Sequence, residues 1–373
     1  MCLSRRCVFF LLFACASLLV ACQSAPRVRV ETSGCEVRAG EREQAERISE
    51  AFSTLAPRLE ALLPDSRLPK LSVWVQKLPT LYEFPRTTLP EADGFYAPDH
   101  RRIHLRENAP DLERTLAHEM THAALGPSWS VLPGTIEEGL CDAVSAELVP
   151  DSRARLRAGR YCAAAFGMGG LRLDLVIRID GSGCADGIAR ELSARVRFEG
   201  ETSESIDPLS VFDAKAGSCS ARLSTSRKKA LYGCADLVID RILERRGFQG
   251  LHRIAKTASQ RGLTEIPRQW LLDAAGLSAE QESWQQALIE GLGEAELAEL
   301  VRMQPMLLAE ILVDFLQPLL GEAELESLLQ ATSMQLSAPQ AGPAVELLTL
   351  PEFVRAVRAR AGGSAALQER ADS

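Results

Sequence analysis

The chain has 373 residues, 46% of them hydrophobic, with 42 basic and 50 acidic side chains and a formal net charge of −8. An acidic balance of this kind excludes nucleic acid as an expected partner, because no basic surplus is left to neutralise phosphates. The length allows one large domain or two.

Residues 1–22 read as a targeting segment. Arg5 and Arg6 form a charged start, and the apolar run Val8–Val20 is shorter than the about 20 residues that a spanning helix needs. The run ends in Leu19-Val20-Ala21-Cys22, which resembles the bacterial lipoprotein signal. The resemblance implies cleavage before Cys22, lipidation of that cysteine, and a chain anchored to a membrane rather than spanning it. Gln23 in place of an aspartate points to the outer membrane of a bacterial cell envelope. Cys15 marks a second, weaker site inside the run, and a plain secretory signal cut near Ala21 is the alternative. Loss of Arg5 and Arg6 leaves 40 basic against 50 acidic residues, a charge near −10. Beyond the signal stand six cysteines: Cys35, Cys141, Cys162, Cys184, Cys219 and Cys234. An even count in an exported chain predicts up to three disulfides, with the pairing open. Cys141 and Cys234 are placed to brace the helices of the candidate site. No Cys-x-x-Cys pair exists, so a cysteine-based zinc site is not expected.

In chain order, residues 23–40 read as a tether without clear periodicity. Glu41–Leu63 has the pattern of an amphipathic helix that stops at Pro64-Asp65, and Leu71-Ser-Val-Trp-Val75 alternates like a strand. Pro110–Leu125 reads as a helix: Leu112, Leu116, Met120 and Ala123/Ala124 recur at helical spacing, Asp111 is placed to cap it, and Gly126-Pro127 ends it. A second helix starts near Thr135, after Pro133-Gly134. Arg153–Met168 is helix-like. Asp174–Ile179 is either a strand or the end of a buried helix. Gly181–Gly187 is a turn-rich loop, and short strands are expected within 195–223. From about residue 276 the chain turns Leu/Glu/Ala-rich. Gly293-Glu-Ala-Glu-Leu297 returns as Gly321-Glu-Ala-Glu-Leu325, too few copies for a solenoid and better read as similar helix starts in a bundle. Pro305 and Pro318 bracket the apolar stretch Met306–Leu316, a buried helix. The organisation is therefore a signal (1–22), a tether (23–40), an α+β domain (41–275), an all-α C-terminal region (276–361) and a loose tail (362–373).

The chemistry is concentrated in His118-Glu-Met-Thr-His122 and the following Ile136-Glu-Glu-Gly-Leu-Cys-Asp142. Two histidines four apart on a helix project from one face, so both imidazoles can reach one ion. Glu119 can take a proton from a water on that ion. Glu138, sixteen residues after His122, is a hard oxygen donor that can complete a His/His/Glu set. Glu137 is its rival, less favoured because Asp142 lies one turn beyond Glu138. A carboxylate in that place can hold the remaining N–H of a ligand histidine.

These residues resemble the gluzincin branch of the zinc metallopeptidases, and within it the bacterial peptidase-MA-like domains, which place HExxH on one helix and a ligand glutamate in an EGL-type string on the next. Here the string is Glu138-Gly139-Leu140. The resemblance implies Zn2+ held by His118, His122 and Glu138, Glu119 as general base and Asp142 behind the ligands. It covers residues 41–260 and is carried by 115–142. The metzincin pattern does not fit, because Leu125 and Ser128 stand where it needs a glycine and a third histidine. Asp93–Leu105 looks like the sheet edge that precedes the active helix in such domains, a place where an extended peptide can pair. Leu231–Gly247 is similar to a later helix of the family, and it offers Tyr232 as a hydrogen-bond donor to an oxyanion. Tyr161 and Tyr96 are its rivals. His100 and His104 are expected at the surface or rim, and His252 as an unrelated helix residue.

The expected function is thus a cell-envelope zinc-dependent metallopeptidase of zincin-like α+β fold, acting on a peptide or protein and anchored to a membrane through Cys22. A catalytically inactive peptidase-like binding or structural protein of the envelope is the alternative.

Overall fold

A computed structural model describes residues 26–76, 93–179, 189–198, 205–213 and 224–293, together with 295, 296 and 299. The expected signal segment with Cys22, the expected loop 181–187, Cys184, Cys219, the part of the expected all-α region beyond residue 299 and the expected tail lie outside the described residues. The chain is α+β. Its strands are β1 (Val28–Thr32), β2 (Cys35–Ala39), β3 (Leu71–Gln76), β4 (Gly94–Ala97), β5 (Arg102–Arg106), β6 (Leu171–Ile179) and β7 (Ala189–Phe198). Its helices are α1 (Arg42–Leu62), α2 (Leu112–Ala124), α3 (Ile136–Leu148), α4 (Arg153–Gly167), α5 (Thr225–Gln260), α6 (Arg268–Ala275) and α7 (Gln281–Gly291). Among the described residues, no helix is long and apolar enough to cross a membrane. Contacts divide the chain into two compact units that interleave along the sequence.

The first unit carries β1 to β5, α1, α2, Leu140–Pro150 and Ile242–Trp270. Its sheet has the order β1-β2-β3-β5-β4. The central pairs β2–β3 and β3–β5 are parallel and the outer pairs β1–β2 and β4–β5 antiparallel. Val37, Val73 and Ile103 stand in register on the buried face, where Cys35, Ala39, Leu71, Val75 and Leu105 join them. The period-2 alternation of a strand puts Arg38, Trp74, His104 and Phe95 in one row on the opposite face. There the Arg102 guanidinium lies 3.8 Å from the Trp74 ring centroid. His104 is buried, not at the rim, because it stacks on Phe95 at 4.5 Å and 11° and packs against Trp74 at 6.0 Å. His100 is exposed, as expected.

Helix α1 lays Ile48, Phe52, Leu55 and Leu59 toward β1 and β2, α2 packs on β4 and β5, and the two helices also touch each other. Both therefore cover one face of the sheet. Residues 28–39, expected as part of a tether, form the β1–β2 hairpin instead. Gly34 takes φ 87° in its tight turn, a conformation that only glycine adopts without strain. Arg29, which pairs with Glu31 and Glu36, and Arg38, which pairs with Glu36, supply charge on the outer face of the strands.

The second unit holds Gly134–Gly139 and the described residues of Asp151–Arg241 and from Leu271 on. Residues 174–179 belong to a strand, not a helix end: β6 pairs antiparallel with β7. Helix α4 packs on α7 and β6. Trp284 and Phe212 meet edge-on with centroids 6.4 Å apart, and Tyr161 of α4 lies against Gly291 of α7. Tyr161 donates to Asp240 Oδ2 at 2.9 Å, and Arg157 Nε reaches the same oxygen at 2.8 Å. Gly139, at the start of α3, is a packing requirement. A Cβ there would stand 2.4 Å from the Ala235 carbonyl oxygen of α5.

Candidate metal centre

Helix α2 positions the HExxH side chains. Leu116, Met120 and Ala124 form a buried apolar stripe, and at 3.6 residues per turn His118 and His122 fall together on the opposite face of the helix. His118 and Glu119 are buried and His122 is half-buried. The two imidazoles meet edge-on, with centroids 5.0 Å apart and planes at 69°. Asp111 occupies the N-cap position but its side chain makes no cap hydrogen bond. It turns to Arg114 instead, with Oδ2 3.4 Å from Nε.

Helix α3 brings a carboxylate and a thiol to the same place. Asp142 is fully buried, with Oδ1 2.9 Å from Nδ1 of His118 and 3.8 Å from Nη1 of Arg114. An ionised carboxylate only accepts, so His118 carries its proton on Nδ1 and presents the lone pair of Nε2. Cys141, also fully buried, completes a cluster. Its Sγ and one nitrogen each of His118 and His122 all lie within 4.8 Å of one another. This group can hold a metal ion. Imidazole and thiolate donors suit zinc-like transition ions, whereas magnesium and calcium take oxygen.

The sequence reading missed Cys141 as a donor, having assigned it to a disulfide. Cys35, Cys162 and Cys234 are free thiols, and Cys141 is a thiol and not half of a disulfide. Burial pushes the Cys35 and Cys234 thiols up to about 12, which makes them inert core sulfurs, and it also raises the thiol of the half-buried Cys162. Bracing disulfides through Cys141 and Cys234 are therefore not formed. The spacing that marks Cys141 is its place next to Asp142, one turn after Glu138, on a helix whose neighbour carries both histidines.

Of the other expected site residues, Glu138 and Tyr232 belong to the second unit. Glu138 and Glu137 are half-buried in the first turn of α3. Tyr232 is half-buried on α5, with the Arg160 guanidinium 5.4 Å from its ring centroid. Tyr161 is fully buried, and burial with Asp240 beside it pushes its phenol well above the ordinary value, which makes it a core tyrosine. Tyr96 lies on β4, the last strand of the sheet among the described residues, and burial raises its phenol.

The segment that follows α2 is clamped. Trp129 Nε1 donates to the Pro64 carbonyl at 2.8 Å, and Ser66 bridges to Leu125. Ser128 Oγ donates to Asp65 Oδ2 at 2.5 Å and stands 3.1 Å from Nε2 of His252. Since the serine proton goes to Asp65, His252 donates from Nε2. His252 is thus not an unrelated helix residue: it ties α5 to the segment that leaves α2. Gly126 is required there, because a Cβ would stand 2.0 Å from the Asp65 carbonyl oxygen. No protein-family model, curated protein or solved structure matches the chain.

Proposed function

We propose that the chain is a zinc-dependent metallopeptidase of the bacterial cell envelope, of gluzincin type, anchored at the outer membrane by a lipid on Cys22. The observation that carries the reading is the 2.9 Å contact from His118 Nδ1 to the buried Asp142. A histidine held in this way has a fixed tautomer and a ring nitrogen committed to coordination. His122 joins it as the second ligand. Glu138 is assigned as the third, because it precedes Asp142 by one turn of the same helix.

Zinc, when bound, supplies a Lewis acid and a water whose pKa is lowered toward about 7. Glu119, next to His118 and buried, would serve as the general base that accepts a proton from the attacking water and returns it to the leaving amine. Tyr232 is assigned as the donor to the substrate oxyanion. Strand β4 is the terminal strand of the sheet among the described residues, and an extended peptide can pair along it.

The test is digestion of a broad peptide library by the full-length chain beside its Glu119→Gln variant. The reading requires cleavage by the wild type and its loss in a variant that keeps its zinc. Cleavage that survives the substitution refutes Glu119 as the base. The thiol among the donors favours a second reading, a metal-holding envelope protein without hydrolysis: were Glu138 to join His118, His122 and Cys141, four protein ligands would leave no open position for water. Zinc bound with no cleavage anywhere in the library selects that reading.

A further inference from the structure

A His/His/Glu centre leaves the Cys141 thiol without a role, yet this thiol is the third donor in the cluster. Its Sγ and one nitrogen each of His118 and His122 all lie within 4.8 Å of one another. It is fully buried, so it does not serve the surface, and it is not disulfide-bonded. Its position is fixed by α3 one residue before Asp142, the side chain that orients His118. Donors on one tetrahedral zinc stand about 3.3–3.6 Å apart, given zinc–nitrogen and zinc–sulfur bonds of about 2.0 and 2.3 Å. Side-chain movements of about 1 Å therefore close the cluster around an ion.

We infer that Cys141 is a protein ligand of the metal, binding as thiolate beside His118 and His122. The inference rests on the reading of the two histidines as ligands and changes the character of the centre. On binding, the thiol proton leaves to solvent and a sulfur–metal bond forms, with no change of oxidation state. A thiolate in the set selects zinc, cobalt or cuprous ions over magnesium, calcium or manganese. It also lowers the net charge of the loaded site by one relative to two neutral imidazoles and an ion.

The test is the electronic spectrum of the metal-stripped full-length chain after one equivalent of cobalt(II). The expected result is a near-ultraviolet thiolate-to-cobalt charge-transfer band in the wild type. Cys141→Ser should lose the band while still binding cobalt through the histidines, and His122→Ala should lose band and metal. Cobalt bound without the band, or a band that persists in Cys141→Ser, overturns the inference and leaves the histidine site standing. No cobalt bound at all overturns both. If Cys141→Ser does not fold, X-ray absorption at the zinc edge of the wild type decides without a variant. One sulfur at about 2.3 Å supports the thiolate, and a shell of nitrogen and oxygen alone refutes it.

Discussion

Nδ1 of His118 and Oδ1 of Asp142 stand 2.9 Å apart between α2 and α3, and the carboxylate in this pair is fully buried. Arg114 Nη1 stands 3.8 Å from the same oxygen, a cation beside the carboxylate that orients the imidazole. Removal of such a partner leaves a metal ligand free to rotate and to change tautomer, at a cost of about 10–100-fold in metal affinity. Asp142→Ala should weaken zinc by that factor in a chelator competition. Unchanged affinity would make Asp142 a structural residue only.

Gly139 is the middle residue of the Glu-Gly-Leu string, and packing alone explains it. The Ala235 carbonyl oxygen and carbon lie 2.4 and 2.5 Å from where a Cβ would stand, and both are backbone atoms that cannot swing aside. Gly139→Ala should therefore destabilise the chain by about 1–3 kcal/mol, the usual cost of overpacking. Denaturant unfolding should show a lower midpoint at unchanged slope. An unshifted midpoint would mean that the two backbones are not this close.

His252 gives stability a pH dependence. Burial lowers the pKa of its imidazole from the ordinary value, the Asp65 carboxylate opposes this, and Lys256 adds to the lowering. The unfolded chain then takes up the proton more readily than the folded one. The stability is intact above the unfolded value of about 6.5 and is lost as pH falls through the depressed folded value. Asp65 is itself held below the ordinary carboxylate range by the Ser128 hydroxyl, so it titrates lower and does not interfere. His252→Asn should flatten the decline in melting temperature between about pH 6.5 and 5 relative to the wild type. Parallel slopes would remove His252 as the source.

What could be read in the sequence was set by local periodicity. Helices α1, α2 and α3 and strand β3 announce themselves by apolar spacing, and the HExxH residues sit at the spacing that puts two imidazoles on one helix face. The β1–β2 hairpin was hidden because Arg29, Glu31, Glu36 and Arg38 supply charge at every second position, which reads as a solvated tether until the ion pairs are seen. His104 was hidden because its burial depends on Phe95 and Trp74, which come from two other strands. Cys141 was hidden for a similar reason. An exported chain with an even cysteine count suggests disulfides, and only the meeting of α2 and α3 shows the thiol beside two imidazoles. The tie from Ser128 to Asp65 and His252 joins residues far apart in sequence, so no local pattern encodes it.

The central claim is that His118 and His122 hold a metal ion. The most direct measurement is the metal content of the purified full-length chain beside its His122→Ala variant, each confirmed as folded. About one zinc per wild-type chain is expected, and its loss in the variant. A folded wild-type chain that takes up no zinc, or a variant that keeps it at full stoichiometry, would mean that the two histidines do not hold an ion.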